Sequence, residues 1–187
     1  MLHHWHCAVD NSKSVRVLFV DYAKAFDHVD HSTVVRKLIN FGVPDFSIRS
    51  ICSFLTDRQQ RVKICDAFSS WVRLSGSMPQ GSLLGTLTFI VLIDDLNTGC
   101  MLHKFVDDTT LSELINKVEL SRMVVNLTQL LDWSFSNHMN VNVKKTWEMI
   151  ISSSNGIVFN PLSVADVVIE RVDVFKLLGV YINRSLK

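Results

Sequence analysis

The chain has 187 residues and is 48% hydrophobic, enough for a packed core and too apolar for a disordered segment. Its formal net charge is only +1, so any basic surface must be local. Its longest apolar run, Leu83 to Ile93, is too short to cross a membrane, and its first residues lack the pattern of a secretory signal, so an intracellular protein is expected.

In chain order, Val15 to Asp21 reads as a buried strand. Ser32 is expected to cap a helix ending near Phe41, stopped by Gly42 and Pro44, and a second helix to run from Asp45 to Leu55. Arg61–Cys65 and Phe68–Leu74 flank Asp66-Ala67 and predict a hairpin. Ser75 to Gly81 reads as a turn, with Ser82 opening a helix toward Leu96. Met101–Val106 and Thr109–Leu111 flank Asp107-Asp108 and predict a second hairpin. Leu120, Met123, Val124, Leu127, Leu130, Leu131 and Phe135 recur at helical spacing, a core-facing stripe. Val141–Ile151 and Val164–Val172 look extended, and Phe175–Ile182 reads as a last strand. Mixed strands, helices and hairpins predict an α+β fold, a mainly antiparallel sheet with helices packed on one face, forming one domain over 1–187.

The four cysteines are scattered, with no CxxC pair, and read as reduced thiols. His3, His4, His6 and Cys7 lack a second ligand pair at zinc spacing. Three other segments carry chemistry. Asp21 ends a hydrophobic strand, a rigid place from which to hold a metal ion. Taken alone, such an acid is more often a turn or cap. Asp107 and Asp108 are adjacent acids between apolar strands; a divalent cation would relieve their repulsion, and oxygen ligands suit Mg²⁺. An ordinary solvated turn is the competing account. Asp94-Asp95, near a predicted helix C-terminus, gains nothing from the dipole and reads as surface or local hydrogen bonding. Ser77-Met78-Pro79-Gln80-Gly81-Ser82 combines a fixed approach, close contact and a donor–acceptor amide at the mouth of a helix. It is either a nucleotide-contacting turn or a plain strand-to-helix connection.

Together these segments resemble reverse transcriptases. Asp21-Tyr22-Ala23-Lys24-Ala25-Phe26-Asp27 resembles the first catalytic motif in its LINE-type (non-LTR retrotransposon) form. Met78-Pro79-Gln80-Gly81 resembles the second, and Phe105-Val106-Asp107-Asp108 the third. Asn142-Val143-Lys144-Lys145-Thr146 resembles the lysine motif, and Leu177-Leu178-Gly179-Val180 the primer grip. Val106 and Thr86 depart from the usual residues without removing a metal ligand. The resemblance covers residues 15 to 183 and implies a polymerase palm, with fingers, thumb and endonuclease belonging to a longer protein.

What the resemblance implies is RNA-directed DNA polymerisation: deoxynucleotides joined to a DNA primer on an RNA template, by in-line phosphoryl transfer with two Mg²⁺ ions about 4 Å apart. Mn²⁺ is a possible substitute. Asp21 and Asp107 are the implied bridging ligands, with Asp108 assisting. Lys145 would protonate the leaving pyrophosphate. Backbone amides of Tyr22, Ala23, Lys24, Ala25 and Phe26 would face the triphosphate, and the Phe26 ring would sense the sugar. Gln80 and Gly81 would line the nucleotide pocket, Leu177 to Val180 would hold the primer, and Asp27 would be structural, capping the next helix. Arg58, Arg61, Lys63 and Arg73 form a basic hairpin that reads as template or primer contact, or else as a solvated face. Two other classes compete: an inactive remnant that folds without polymerising, and an unrelated Mg²⁺-dependent phosphohydrolase.

Overall fold

The computed structural model describes residues 1–74, 76–116, 119–152 and 159–186. In chain order the main elements are helix α1 (Leu2–Asp10), strand β1 (Ser14–Val20), helices α2 (His31–Asn40), α3 (Asp45–Leu55) and α4 (Leu83–Ile93), strands β2 (Met101–Phe105) and β3 (Asp108–Ile115), helix α5 (Met123–Ser136), and strands β4 (Trp147–Ile151), β5 (Glu170–Arg171), β6 (Val174–Leu177) and β7 (Val180–Asn183). The chain divides into two compact units, one of Met1–Ala23, Leu96–Phe135 and Asn140–Lys187, the other of Lys24–Asp95 and Ser136–Met139. The expected α+β class holds.

The first unit is built on a five-stranded sheet in the order β5-β4-β1-β3-β2. All its pairings are antiparallel except that of β5 with β4. β1 is central and buried along all seven residues, as its near-continuous apolar run requires of a strand covered on both faces. Val15, Val17 and Phe19 pack with Trp5 and Ala8 of α1, and with Leu177 and Ile182 of the β6–β7 hairpin. Arg16 is the polar exception within the run. Its guanidinium meets Glu148 at 2.6 Å, and Arg171 reaches the same carboxylate at 2.7 Å. Ser121 Oγ and the Asn160 carbonyl take two further Arg16 hydrogens, so each nitrogen of the buried cation has a hydrogen-bond partner.

In the second unit α2 packs on α3 and α4. A ribbon precedes α4, pairing Gln59–Gln60 with Val72–Arg73 and Lys63–Ile64 with Ala67–Phe68. Ser82 caps α4 by accepting the Gly85 amide at 3.0 Å. Gly85 is needed there: a Cβ would lie 2.4 Å from the Pro79 carbonyl oxygen. Among the described residues, no helix is long and apolar enough to cross a membrane.

Several local expectations are corrected. Asp30, rather than Ser32 or Asp27, caps α2: its carboxylate accepts the Thr33 amide at 2.8 Å. The ribbon turns at Cys65-Asp66, with Cys65 at φ +52°. Val141–Ile151 is a short 3₁₀ turn, Val143–Lys145, before β4. Val164–Val172 holds a hairpin, Ser163–Val164 with Val167–Val168, and then β5. Phe175–Ile182 is two strands, because Leu178 and Gly179 both take positive φ and reverse the chain. In the last three cases a short turn of two or three residues interrupts a run whose composition alone reads as continuous.

Candidate active site

Asp21 lies one residue beyond β1, and the register of that strand locates it. Val20 stands opposite Thr109 in an antiparallel pair. The next step along that register sets Asp21 opposite Asp108. Directly opposed residues project to the same face of a sheet, so the two carboxylates are neighbours. Asp108 in turn pairs with Phe105 across a two-residue turn of Val106 and Asp107. Val106 takes φ +56°, an uncommon conformation for a β-branched residue. Asp107 therefore sits in the turn itself and Asp108 is the first strand residue, which shifts the sequence reading of both acids as turn residues by one position.

The electrostatics follow from this placement. Burial first, and then the Asp107 and Asp21 carboxylates, push the Asp108 carboxyl above the usual range. Among the described residues no three His, Cys, Asp or Glu side chains are grouped so that they could hold a metal ion. Asp21, Asp107 and Asp108 offer oxygen donors alone, the ligand type that a hard cation such as Mg²⁺ prefers.

Asp21 is held by a segment far along the chain. Its Oδ2 accepts a hydrogen bond from Asn142 Nδ2 at 3.0 Å, across 121 residues. The Asn142 amide donates to the Asp21 carbonyl at 2.8 Å, and the Thr146 hydroxyl donates to the Asn142 carbonyl at 3.0 Å. The N-V-K-K-T motif thus anchors the acid through Asn142, a role that sequence reading, intent on the lysines, did not assign. Lys145 and Lys144 are both exposed, but only Lys145 joins Asp21, Asp108, Thr110, Phe175 and Leu177 in lining a small cavity of about 60 Å³. Asp107 does not line it. Leu177 and Leu178 line a neighbouring cavity of about 220 Å³, together with Asp108 and Phe105. The Leu177–Val180 turn therefore stands beside the third acidic motif, with Gly179 and Val180 outside both linings.

The backbone after Asp21 is partly committed. The Ala23 amide donates to the Asn140 carbonyl at 2.8 Å, so it is not free for an anion. The Tyr22 side chain is core: its ring lies 6.5 Å from that of Trp133, and burial pushes its hydroxyl up to about 12. The Ser134 and Thr109 hydroxyls lie beside that phenol without meeting hydrogen-bond geometry. Within the second unit, the Met78 amide donates to the Phe26 carbonyl at 2.7 Å, and the Phe26 ring stacks on Phe89 at 4.6 Å. This joins Phe26 to the Met78–Gly81 turn, where Gln80 and Gly81 are exposed and Gly81 has φ +77°. Lys24 is exposed and Ala25 buried. Both acids of the Asp94-Asp95 pair are exposed, as expected of surface residues, and Asp95 accepts from Lys37 of α2, 58 residues away in the chain. In the ribbon, Arg73 pairs with Asp57, whereas Arg58 lies over the Phe54 ring, and Arg61 and Lys63 lie over Phe68.

Residues 1–182 match the family model described as reverse transcriptase (RNA-dependent DNA polymerase). The chain belongs to the reverse transcriptase family. The probable RNA-directed DNA polymerase from transposon BS of Drosophila melanogaster is 26% identical over 96% of this chain and 21% of its own length. The RNA-directed DNA polymerase from mobile element jockey of the same fly is 23% identical over the same shares. A Pol polyprotein from the type-1 retrotransposable element R2 of Popillia japonica is 28% identical over 46% of the chain and 14% of its own length. This reverse transcriptase domain is thus of the non-LTR retrotransposon kind expected from its motifs, and it spans about a fifth of the length of its fly relatives. Telomerase from Candida tropicalis, solved with a fragment of telomeric RNA, superposes with a TM-score of 0.66 at 12% identity, over all of this chain and 32% of that one. A truncated apo form of the same telomerase gives 0.63. These likenesses confirm the palm-like fold.

Proposed function

We propose that this domain carries the catalytic centre of an RNA-directed DNA polymerase, which adds deoxynucleotides to a DNA primer on an RNA template. The observation that carries the reading is the convergence on Asp108. Two other carboxylates, Asp21 and Asp107, act on it beside a cavity that Lys145 also lines. Three acids near one another, none in an ion pair among the described residues, favour a divalent cation over a purely structural role. Asp21, Asp107 and Asp108 would hold two Mg²⁺ ions, or Mn²⁺ in their place. When bound, these supply Lewis acidity to the primer hydroxyl and neutralise triphosphate charge.

The remaining roles belong to the chain itself. Asn142 and Thr146 fix Asp21, so the carboxylate pays little to reach its working position. Lys145 delivers a proton to the departing pyrophosphate. The amides of Lys24, Ala25 and Phe26 meet triphosphate oxygens, and the Phe26 ring limits what fits at C2′ of the sugar. Gln80 and Gly81 contact the nucleotide and template base, and Leu177 to Val180 bear on the primer end. Arg58, Arg61 and Lys63 contact template or primer phosphates, with Arg73 engaged by Asp57.

The test is single-nucleotide addition by a polymerase carrying this domain. Asp21→Asn and Asp107→Asn should each lower kcat on the order of 10²–10³-fold or more, the scale of losing a preorganised charge contact. Undiminished addition by either variant would remove it from the centre. Phosphate release from a simple ester without primer or template would favour a phosphohydrolase.

A further inference from the structure

The ribbon between α3 and α4 has a feature that a basic hairpin does not require. In a regular strand, residues three apart point to opposite faces. Phe68 and Trp71 are three apart. Between the pairs Gln60–Val72 and Lys63–Phe68, however, Arg61 and Val62 on one strand face Ser69, Ser70 and Trp71 on the other. The surplus residue is a β-bulge, held by the Ser69 amide on the Val62 carbonyl and the Val62 amide on Ser69 Oγ, both at 2.9 Å. It reverses the parity, and both rings meet one guanidinium. Arg61 Cζ lies 4.0 Å from the Phe68 ring centre and 4.5 Å from that of Trp71.

We infer that this bulged ribbon is a binding platform for single-stranded nucleic acid, with unpaired bases stacking on Trp71 and Phe68 and phosphates meeting Arg61 and Lys63. The inference rests on the polymerase reading for its substrate class and extends it to a site and a strandedness. Trp71 is 58% exposed and Phe68 50%, so each ring keeps open surface beside its arginine contact. Large aromatics left in solvent cost free energy that a stacking partner recovers. Charge selects that partner. Arg73 is neutralised by Asp57, but among the described residues neither Arg61 nor Lys63 has a carboxylate partner. An anionic ligand with flat apolar faces matches both properties. A duplex hides its base faces in its own stack, whereas a single strand presents them.

The probe is a 15-mer of riboadenylate, bound without divalent ion and without turnover, with a blunt duplex of equal length beside it. Binding should quench the exposed Trp71, and the quench should be lost in Trp71→Phe, which keeps the other three tryptophans, Trp5, Trp133 and Trp147. Trp71→Ala should weaken binding about 5- to 150-fold, Trp71→Phe much less, and neither should move Tm appreciably. Arg61→Ala should weaken binding and flatten its salt dependence. Two or three phosphate contacts predict a loss of about 7- to 20-fold between 50 and 200 mM salt in the wild type. Three results would overturn the platform: equal affinity in wild type and Trp71→Ala, equal or tighter binding of the duplex, or self-association of the chain that Trp71→Ala abolishes while the 15-mer stays unbound. None of these bears on the acidic centre. Conversely, a failed nucleotide-addition assay with Trp71-dependent binding intact would sink the polymerase reading and leave the platform standing.

Discussion

Phe26 and Asp108 each have a local environment that decides how they respond to substitution. The Phe26 ring lies 19° from parallel with Phe89 and is half-buried. In the sugar-sensing role proposed for it, a ring so held would exclude a 2′-hydroxyl, and it also contributes packing. Phe26→Val, in a polymerase carrying this domain, should therefore raise the ribo-to-deoxynucleotide ratio of kcat/KM and cost about 1–2 kcal/mol of stability, less than a fully buried aromatic truncation. A fall in both rates at an unchanged ratio would make Phe26 a packing residue only. Asp108 works in the other direction. Its folded carboxyl is raised above its unfolded value, so the folded state binds the proton more tightly. Stability is then unimpaired below the ordinary carboxylate range and declines as pH rises through the shifted value. Asp108→Asn should raise the Tm of the metal-free chain at pH 7 by about 1–3 °C, from ~0.2–1 kcal/mol for opposed like charges. The gain should vanish below about pH 4. A gain that persists at pH 3 would assign the effect to something other than charge.

At the scale of elements, α2 depends on a cap that sequence reading placed two residues late. Burial by itself would raise the Asp30 carboxyl, but hydrogen bonds from Ser32 and Thr33 outweigh it and hold the group at about 2. Asp30→Ala should cost about 1 kcal/mol, or roughly 2–4 °C in Tm. Because the folded value is depressed, that contribution is complete above the unfolded value near 4 and is lost as pH falls toward 2. Wild type and Asp30→Ala should converge in stability over that interval; a constant difference would mean that the loss is not the charged cap. Helix α3, framed by Pro44 and an apolar stripe, was legible to the residue, as was the existence of β1, β2 and β3. The short strands after β4 were not. Their boundaries lie at positive-φ residues such as Leu178, Ala165 and Asp166, which composition does not distinguish from strand formers or ordinary loop polar residues.

For the whole chain, near-neutral charge sets the expectation. With a net charge of +1, and with Arg61 and Lys63 the ribbon cations shown above to lack a carboxylate partner among the described residues, the 187-residue chain should release few counterions on binding nucleic acid. It should therefore dissociate between additions. Its extension of a primer on a long RNA template should stop after one or a few nucleotides and should weaken further at 200 mM salt. Full-length product from a single binding event, measured with a heparin trap, would show that these 187 residues suffice for processive synthesis.

The order of five short motifs, from Asp21 through Leu177-Leu178-Gly179-Val180, carried the resemblance to reverse transcriptases that the family match over residues 1–182 bears out. The tertiary structure alone decided which groups meet. Asp21 comes opposite Asp108 through antiparallel register, and Asn142 reaches Asp21 across 121 residues. Phe68 and Trp71 share a face only because one surplus residue reverses the parity of their strand. Register and bulges are set by long-range pairing and by the hydrophobic faces that pairing buries, and neither is encoded in the few residues that a motif contains.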